Sequence, residues 1–170
     1  MDFNLNPRNE SYRKRIRDFV EQELLPLEQN PDAYDEHENI APEYLEQMRA
    51  KARQQGLWAL QIPEHLGGQG LDIQGMAACY EEMNRSIFGP VVFNSAAPDD
   101  GNMIVLAKVA TEAQKERWLK PIVEGKVRSS FVMTEPPPGC GSDPGMMQTT
   151  ATRKGDRWVI HGHKHYITGA

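Results

Sequence analysis

The sequence predicts an α+β protein in which an all-α helical bundle comes first and a β domain follows. Three observations carry this. As far as Val127, apolar residues recur at helical spacing between capping residues and glycine or proline stops. Around Arg128 the period changes, and short segments rich in β-branched and aromatic residues take over, separated by Gly, Pro and Lys-Gly-Asp turns. Strands therefore do not alternate with helices, which sets aside a βαβ architecture. The expected domains are 1–127, helical, and 128–170, the start of the β part.

The first helix opens at Asn6, a capping residue, with Pro7 in its first turn. Tyr12, Ile16, Phe19, Val20 and Leu24 follow at helical spacing, and Pro26 is expected to end the helix. An acidic, irregular stretch from Pro31 to Asn39 leads to a second helix, opened by Pro42. Leu45, Met48 and Ala52 share one face of it and Gly56 is its stop; Trp58 and Ile62 then pack the exit loop. After HLGGQGLD, Asp72 caps a third helix carrying Ile73, Met76, Ala77, Tyr80 and Ile87, which is expected to run to Gly89-Pro90. Asn102 to Ala110 reads as a short apolar helix. Thr111 and Gln114 then form a capping-box pattern ahead of a helix with Trp118, Leu119, Ile122 and Val123, closed by Gly125. Four strand candidates remain: SSFVMTE, QTTATR, RWVIHG and HKHYIT. The β part reaches Ala170 with no covering helix and reads as unfinished.

At 170 residues the chain can bury a sizeable core. Its formal charge of −5, with the acidic residues scattered, offers no basic face for nucleic acid. No stretch approaches the ~20 apolar residues of a membrane span, and MDFNLNPRNES lacks the regions of a signal peptide, so the expected compartment is cytoplasmic. Cys79 and Cys140 lie far apart, without CxxC spacing, and are read as reduced.

Four places invite a chemical role. HGHKHYIT holds His161, His163 and His165, which on a strand would share one face and suggest a zinc site. Three imidazoles at alternate positions, however, spread over roughly 13 Å at ~3.3 Å per residue, whereas a shared ion needs each nitrogen near ~2 Å. A strand face is the better reading, and no metal is expected. In TEPPPGCGSD, prolines fix the path of the chain, glycines let the backbone approach a ligand, and backbone N–H groups with the Ser142 hydroxyl can hold an anionic group such as a phosphate. LGGQG lacks GxGxxG spacing and a following GK[ST], and reads as a turn between helices. Cys140 has no paired His beside it in sequence, which weakens its reading as a nucleophile.

FVMTEPPPGCGSD, followed after QTTATRKGDRWVIHG by KHYITGA, resembles the flavin-binding signature of the acyl-CoA dehydrogenase family. PEHLGGQGLD and FNSAAPDDGNMIVLAKVATEAQKERWLKPIVEGKVRSSF likewise resemble the end of that family's N-terminal helical domain and its entry into the β domain. The resemblance covers nearly the whole chain. The family's loop is commonly two residues shorter than TEPPPGCGSD; with SAAPDDGNM, this points toward the long-chain and unusual-acyl branch.

The resemblance implies FAD as cofactor, with Phe131, Met133 and Thr134 lining the flavin ring and Thr134 hydrogen-bonding its pyrimidine edge. Gly141 and Ser142 would sit at the pyrophosphate, Ser142 also on the CoA-thioester side. Tyr166 stands where the family often has tryptophan against the isoalloxazine, Ile167 accompanies it, and Thr168 would bond near the reactive nitrogen. Tyrosine keeps the aromatic face that stacking needs.

Further implied are α,β-dehydrogenation of acyl-CoA thioesters in fatty acid metabolism, electron-transfer flavoprotein as the acceptor, and a homodimer or homotetramer. The family places its catalytic base on a glutamate of a C-terminal helical bundle, so no catalytic residue is expected in this chain. The 170 residues correspond to roughly the front two-fifths of such an enzyme and are expected to be inactive alone. An acyl-CoA oxidase or flavin monooxygenase on the same scaffold, or a helical interaction module without flavin, are the alternatives.

Overall fold

In the computed structural model, residues 4–170 are described, and the chain divides into two compact units, one up to Val127 and one from Arg128 to Ala170. Among the described residues no helix is long and apolar enough to cross a membrane.

The first unit is helical. Helix α1 (Pro7–Phe19) begins where Asn6 accepts a hydrogen bond from the Asn9 N–H, satisfying one of the free donors of a first turn. Contrary to expectation, Pro26 does not end this helix. The chain passes through a π-helical segment, Val20–Leu24, and continues as α2 (Leu25–Glu28). The Leu25 N–H reaches back five residues to the Val20 carbonyl. This wider turn gives the proline ring room and absorbs the donor it lacks.

Helix α3 (Pro42–Gln54) buries Met48 and Ala52. Asp72 caps α4 (Ile73–Met83) by accepting from the Gly75 N–H at 2.8 Å. In the preceding LGGQG turn, a side chain at Gly68 would collide with the carbonyl oxygens of Ala59 and Ile62, so only glycine fits.

Helix α4 ends six residues before the expected Gly89-Pro90 stop. The Glu28 carboxylate accepts from the Ser86 hydroxyl and, at 2.9 Å, from the Ile87 N–H, drawing the chain off the helical path. Ile73 and Ile87 accordingly face outward, 85% and 68% exposed, rather than joining the core. Gly89, whose missing side chain permits close passage over the Met83 carbonyl, starts a short helix α5 (Gly89–Val92) instead of stopping one.

Helix α6 (Asp99–Val109) is followed by the capping box, in which the Thr111 hydroxyl and Gln114 carboxamide each accept from the other's backbone N–H. It starts α7 (Glu112–Gln114), which runs through a second π segment, Lys115–Leu119, into α8 (Lys120–Val123). Here too the residue before a proline, Lys120, donates five residues back, to Lys115. Two prolines inside helices thus meet the same solution.

The core of this unit has two parts. Ile16, Phe19, Val20 and Leu24 of the first helix pack with Met48, Ala52, Met76, Met83, Phe88, Val92 and Phe93. Trp58, Ile62 and Met103 pack with Leu119, Ile122 and Val123 of the last helix, where the Trp58 indole N–H donates to the Val123 carbonyl at 2.7 Å. Cys79 is free and buried in the first part, and burial pushes its thiol up to about 12.

The second unit contains one antiparallel hairpin, β1 (Thr150–Lys154) and β2 (Arg157–His161). Thr150 pairs with His161 and Lys154 with Arg157, around a Gly155-Asp156 turn in which Gly155 has φ +63°. Every residue of both strands is exposed. Of the four strand candidates, SSFVMTE and HKHYIT do not form strands. A strand exists through its ladder, and these two segments share one backbone hydrogen bond, from the His165 N–H to the Thr134 carbonyl at 3.1 Å.

Candidate functional site

In the second unit, residues 133–135, the loop to Gly141, residues 148–149 and residues 164–165 are held together around one carboxylate. Glu135 is buried, with 3% of its surface exposed. Its backbone pairs with Gly141 in both directions, N–H to carbonyl, at 3.3 and 3.2 Å. Its side chain accepts from the backbone N–H groups of Cys140 at 3.2 Å and of Gln148 and Thr149 at 2.8 Å each, and from the Thr149 hydroxyl. The Lys164 ammonium completes the set at 2.9 Å and also donates to the Met133 carbonyl at 2.7 Å. These donors, led by the Thr149 hydroxyl and the Gln148 N–H, hold the Glu135 carboxyl far below the usual carboxylate range. Glu135 is therefore an anion at any ordinary pH.

Of the residues singled out from sequence, hydrogen bonds join Met133, Thr134 and Gly141 to this arrangement, and Tyr166 is linked to it through His165. Met133 and Thr134 are half-buried, and the Thr134 carbonyl is the one bonded to His165. Phe131 is 62% exposed and Tyr166, stacked on His165 with ring centroids 4.0 Å apart, is 87% exposed. Ile167 is half-buried and its carbonyl accepts from the Ala170 N–H; Thr168 is exposed. Gly141 adopts φ +53°, which suits glycine, and Ser142 beside it is exposed. The hydroxyls of Thr134, Ser142 and Thr168 have no hydrogen-bond partner among the described residues.

The three histidines do not share a strand face, as the sequence suggests they should. Strand β2 ends at His161, and Gly162 after it passes so close to the Thr149 side chain that any side chain there would collide with it. His161 and His163 are exposed and line a hollow of about 370 Å³ with Pro136, Pro137 and Pro138, whereas His165 turns to Tyr166. Among the described residues no three His, Cys, Asp or Glu side chains group as a metal site requires. Cys140 is buried, its sulfur 3.1 Å from the Gly141 carbonyl oxygen and 3.6 Å from that of Met133. It fills the base of the loop as a small apolar group with a weak donor.

Sequence reasoning passed over Glu135 and Lys164 as functional positions. A signal was there: with histidine counted as neutral, each is the single formal charge in its strand candidate, SSFVMTE and HKHYIT, and opposite charges in two neighbouring half-apolar segments invite pairing.

Comparison with known proteins agrees with this architecture. The family model for the acyl-CoA dehydrogenase N-terminal domain matches residues 6–126. The Mycobacterium tuberculosis protein assigned as acyl-CoA dehydrogenase FadE2 is 35% identical over 175 aligned positions, which span 100% of this chain and 42% of that protein. A structure from Mycobacterium abscessus, solved as a candidate acyl-CoA dehydrogenase, superposes with TM-score 0.86 at 36% identity, over 98% of this chain and 43% of that one. An acyl-CoA dehydrogenase of Bacillus anthracis, solved in complex with FAD, superposes with TM-score 0.66 at 27% identity, over 98% and 27%. The chain thus spans about two fifths of the length of the two mycobacterial proteins and about a quarter of the Bacillus anthracis one. From the helical unit and its capped elements through to the hairpin, it belongs to the acyl-CoA dehydrogenase family.

Proposed function

We propose that this chain supplies the flavin-facing wall of a FAD-dependent enzyme that introduces a double bond between the α and β carbons of acyl-CoA thioesters. The observation that carries the reading is the convergence on Glu135 of three segments with complementary chemistry. One presents Phe131 and the Thr134 hydroxyl, one the Gly141-Ser142 backbone and hydroxyl, and one the ring of Tyr166 and the hydroxyl of Thr168. An isoalloxazine needs an aromatic or apolar wall on one face and hydrogen-bond donors along its polar edge. Tyr166 and Phe131 fit the first requirement, being large, aromatic and exposed. The hydroxyls of Thr134, Ser142 and Thr168, without partners among the described residues, fit the second.

When bound, FAD would supply the electron-accepting ring. The protein's part is then to hold and cover it. Thr134 would hydrogen-bond the pyrimidine edge, Phe131 and Met133 would line the ring, Tyr166 with Ile167 beside it would stack on it, and Thr168 would donate near its reactive nitrogen. Gly141 and Ser142 would meet the pyrophosphate, with Ser142 also on the CoA-thioester side. The base that removes the α proton lies outside these residues, so the chain alone does not turn over substrate. An acyl-CoA as substrate, electron-transfer flavoprotein as acceptor and a homodimer or homotetramer as the working assembly complete the reading, on the strength of the family resemblance.

Titration of the chain with FAD, followed by flavin fluorescence, tests the reading. Replacing Tyr166 by alanine removes the stacking face without touching Glu135 or its donors, and is expected to weaken FAD binding by about tenfold, near 1.4 kcal/mol. Equal affinity in wild type and Tyr166→Ala would contradict the stacking role.

A further inference from the structure

We infer that Lys164 and Glu135 are the positioning residues of the candidate site, setting the register of residues 133–135 against 164–168 in place of a backbone ladder. What they position rests on the flavin reading above; how they do so rests on the hydrogen bonds alone.

Residues 133–135 and 164–165 lie side by side, yet a single backbone bond, His165 N–H to Thr134 carbonyl, joins them. Lys164 supplies the others. Its ammonium takes the Met133 carbonyl at 2.7 Å, where a neighbouring strand would have offered an N–H, and reaches the Glu135 carboxylate at 2.9 Å. Three consecutive residues, 133, 134 and 135, are thereby each tied to Lys164 or His165. Both side chains are sequestered, 13% exposed for Lys164 and 4% for Glu135, so neither is a surface pair that water can readily replace.

Glu135 extends the tie to the rest of the site. Its second carboxylate oxygen accepts from the Cys140 and Gln148 N–H groups, closing the base of the proline-rich loop, and its backbone holds Gly141. It is the residue that contacts all three parts of the candidate site. A slip of one residue between 133–135 and 164–165 would carry the Lys164 ammonium away from both the Met133 carbonyl and the Glu135 carboxylate. In that slipped register the ammonium and carboxylate would be buried without each other, a heavily penalised state. The ion pair therefore selects one register.

The groups that face Glu135 are Lys164, the Cys140 loop with its thiol, and the imidazoles of His161 and His163 lining the same hollow. With its carboxyl held below the ordinary glutamate value of 4.5, Glu135 keeps its contribution at neutral pH, and that contribution is lost as pH falls from 4.5 through the lowered value.

The test compares wild type with Lys164→Met, which keeps the stem and removes the charge, and Lys164→Arg, which keeps a cation and donors. Amide exchange followed by NMR and FAD titration are the readouts. In Lys164→Met, exchange of the His165 and Thr149 amides and the FAD dissociation constant are each expected to rise by about tenfold or more, with the helical unit unchanged. Lys164→Arg should recover most of both. The protection of the Gln148 and Thr149 amides should fade in acid in wild type and show no such acid step in Glu135→Gln. Unchanged exchange in Lys164→Met, or loosened exchange with unaltered FAD affinity, overturns the inference. If wild type takes up no FAD, the flavin reading fails, and the exchange and arginine-rescue arms decide the positioning role by themselves.

Discussion

Replacing Phe93 by alanine is expected to destabilise the helical unit by about 3–5 kcal/mol, the usual cost of truncating a fully buried aromatic residue. Phe93 is 0% exposed and meets Phe19 edge to face, with ring centroids 5.1 Å apart. Its backbone is committed as well, since its carbonyl accepts from the Ala59 N–H at 3.0 Å and so ties the exit loop of α3 to the end of α5. Those bonds prevent the chain from collapsing into the space a phenyl ring would leave, which puts the cost toward the upper part of the range. Against a typical domain stability of about 5–15 kcal/mol, the loss is large enough to read directly from a urea midpoint. Ile87→Ala, at a site 68% exposed, is the control and should stay within about 0.5 kcal/mol of wild type. A Phe93→Ala protein within 1 kcal/mol of wild type would mean that the packing described here is wrong.

Glu82→Gln is the second large effect. Glu82 stands on α4, 3% exposed, and accepts from Arg13 at 3.1 Å, from Arg17 at 3.0 Å through Nε and again through its terminal nitrogen, and from Arg85 at 3.3 Å. One carboxylate thus fastens α1 to α4 by charge-assisted hydrogen bonds. The guanidinium groups remain partly exposed and can turn to water, so the loss is smaller than for a wholly buried pair, about 1–3 kcal/mol. The hydrogen bonds, those from Arg17 first, hold the Glu82 carboxyl below its ordinary value of 4.5. A lowered carboxyl adds stability above that value and loses it as pH falls through the folded-state value. Urea unfolding of the two proteins should therefore differ most at neutral pH and converge in acid. A difference independent of pH would assign the effect to packing instead of charge.

The contrast between what could be read from sequence and what could not is one of range. Asn6, Asp72 and the Thr111–Gln114 box are legible because a cap needs a side chain and an N–H three residues on. Pro26 misleads because the relief it finds, a π-helical segment, is decided by the five residues before it and by packing on both sides. Ile87 misleads because its turn is drawn outward by Glu28, 59 positions earlier. The strand candidates SSFVMTE and HKHYIT have strand composition, but strand structure depends on a partner that composition does not contain.

The candidate site divides the same way. Its lining residues, from Phe131 to Thr168, are marked by a motif whose order and spacing are visible in one dimension. Its framework is not, because Glu135 and Lys164 lie 29 positions apart and the carboxylate's remaining donors are backbone N–H groups that carry no residue signature. The three histidines, the most conspicuous feature of the sequence, do not act together: His161 and His163 line one hollow, while His165 stacks on Tyr166.

The central claim is that the segments around Glu135 form one flavin-binding wall, and a hydrogen-exchange footprint of FAD on the full chain tests it most directly. Added FAD is expected to slow exchange at residues 131–134, 141–142 and 166–168 together. A footprint in the cleft of the helical unit lined by Arg53, Trp58 and Lys120, or at one of the three segments without the others, would contradict it.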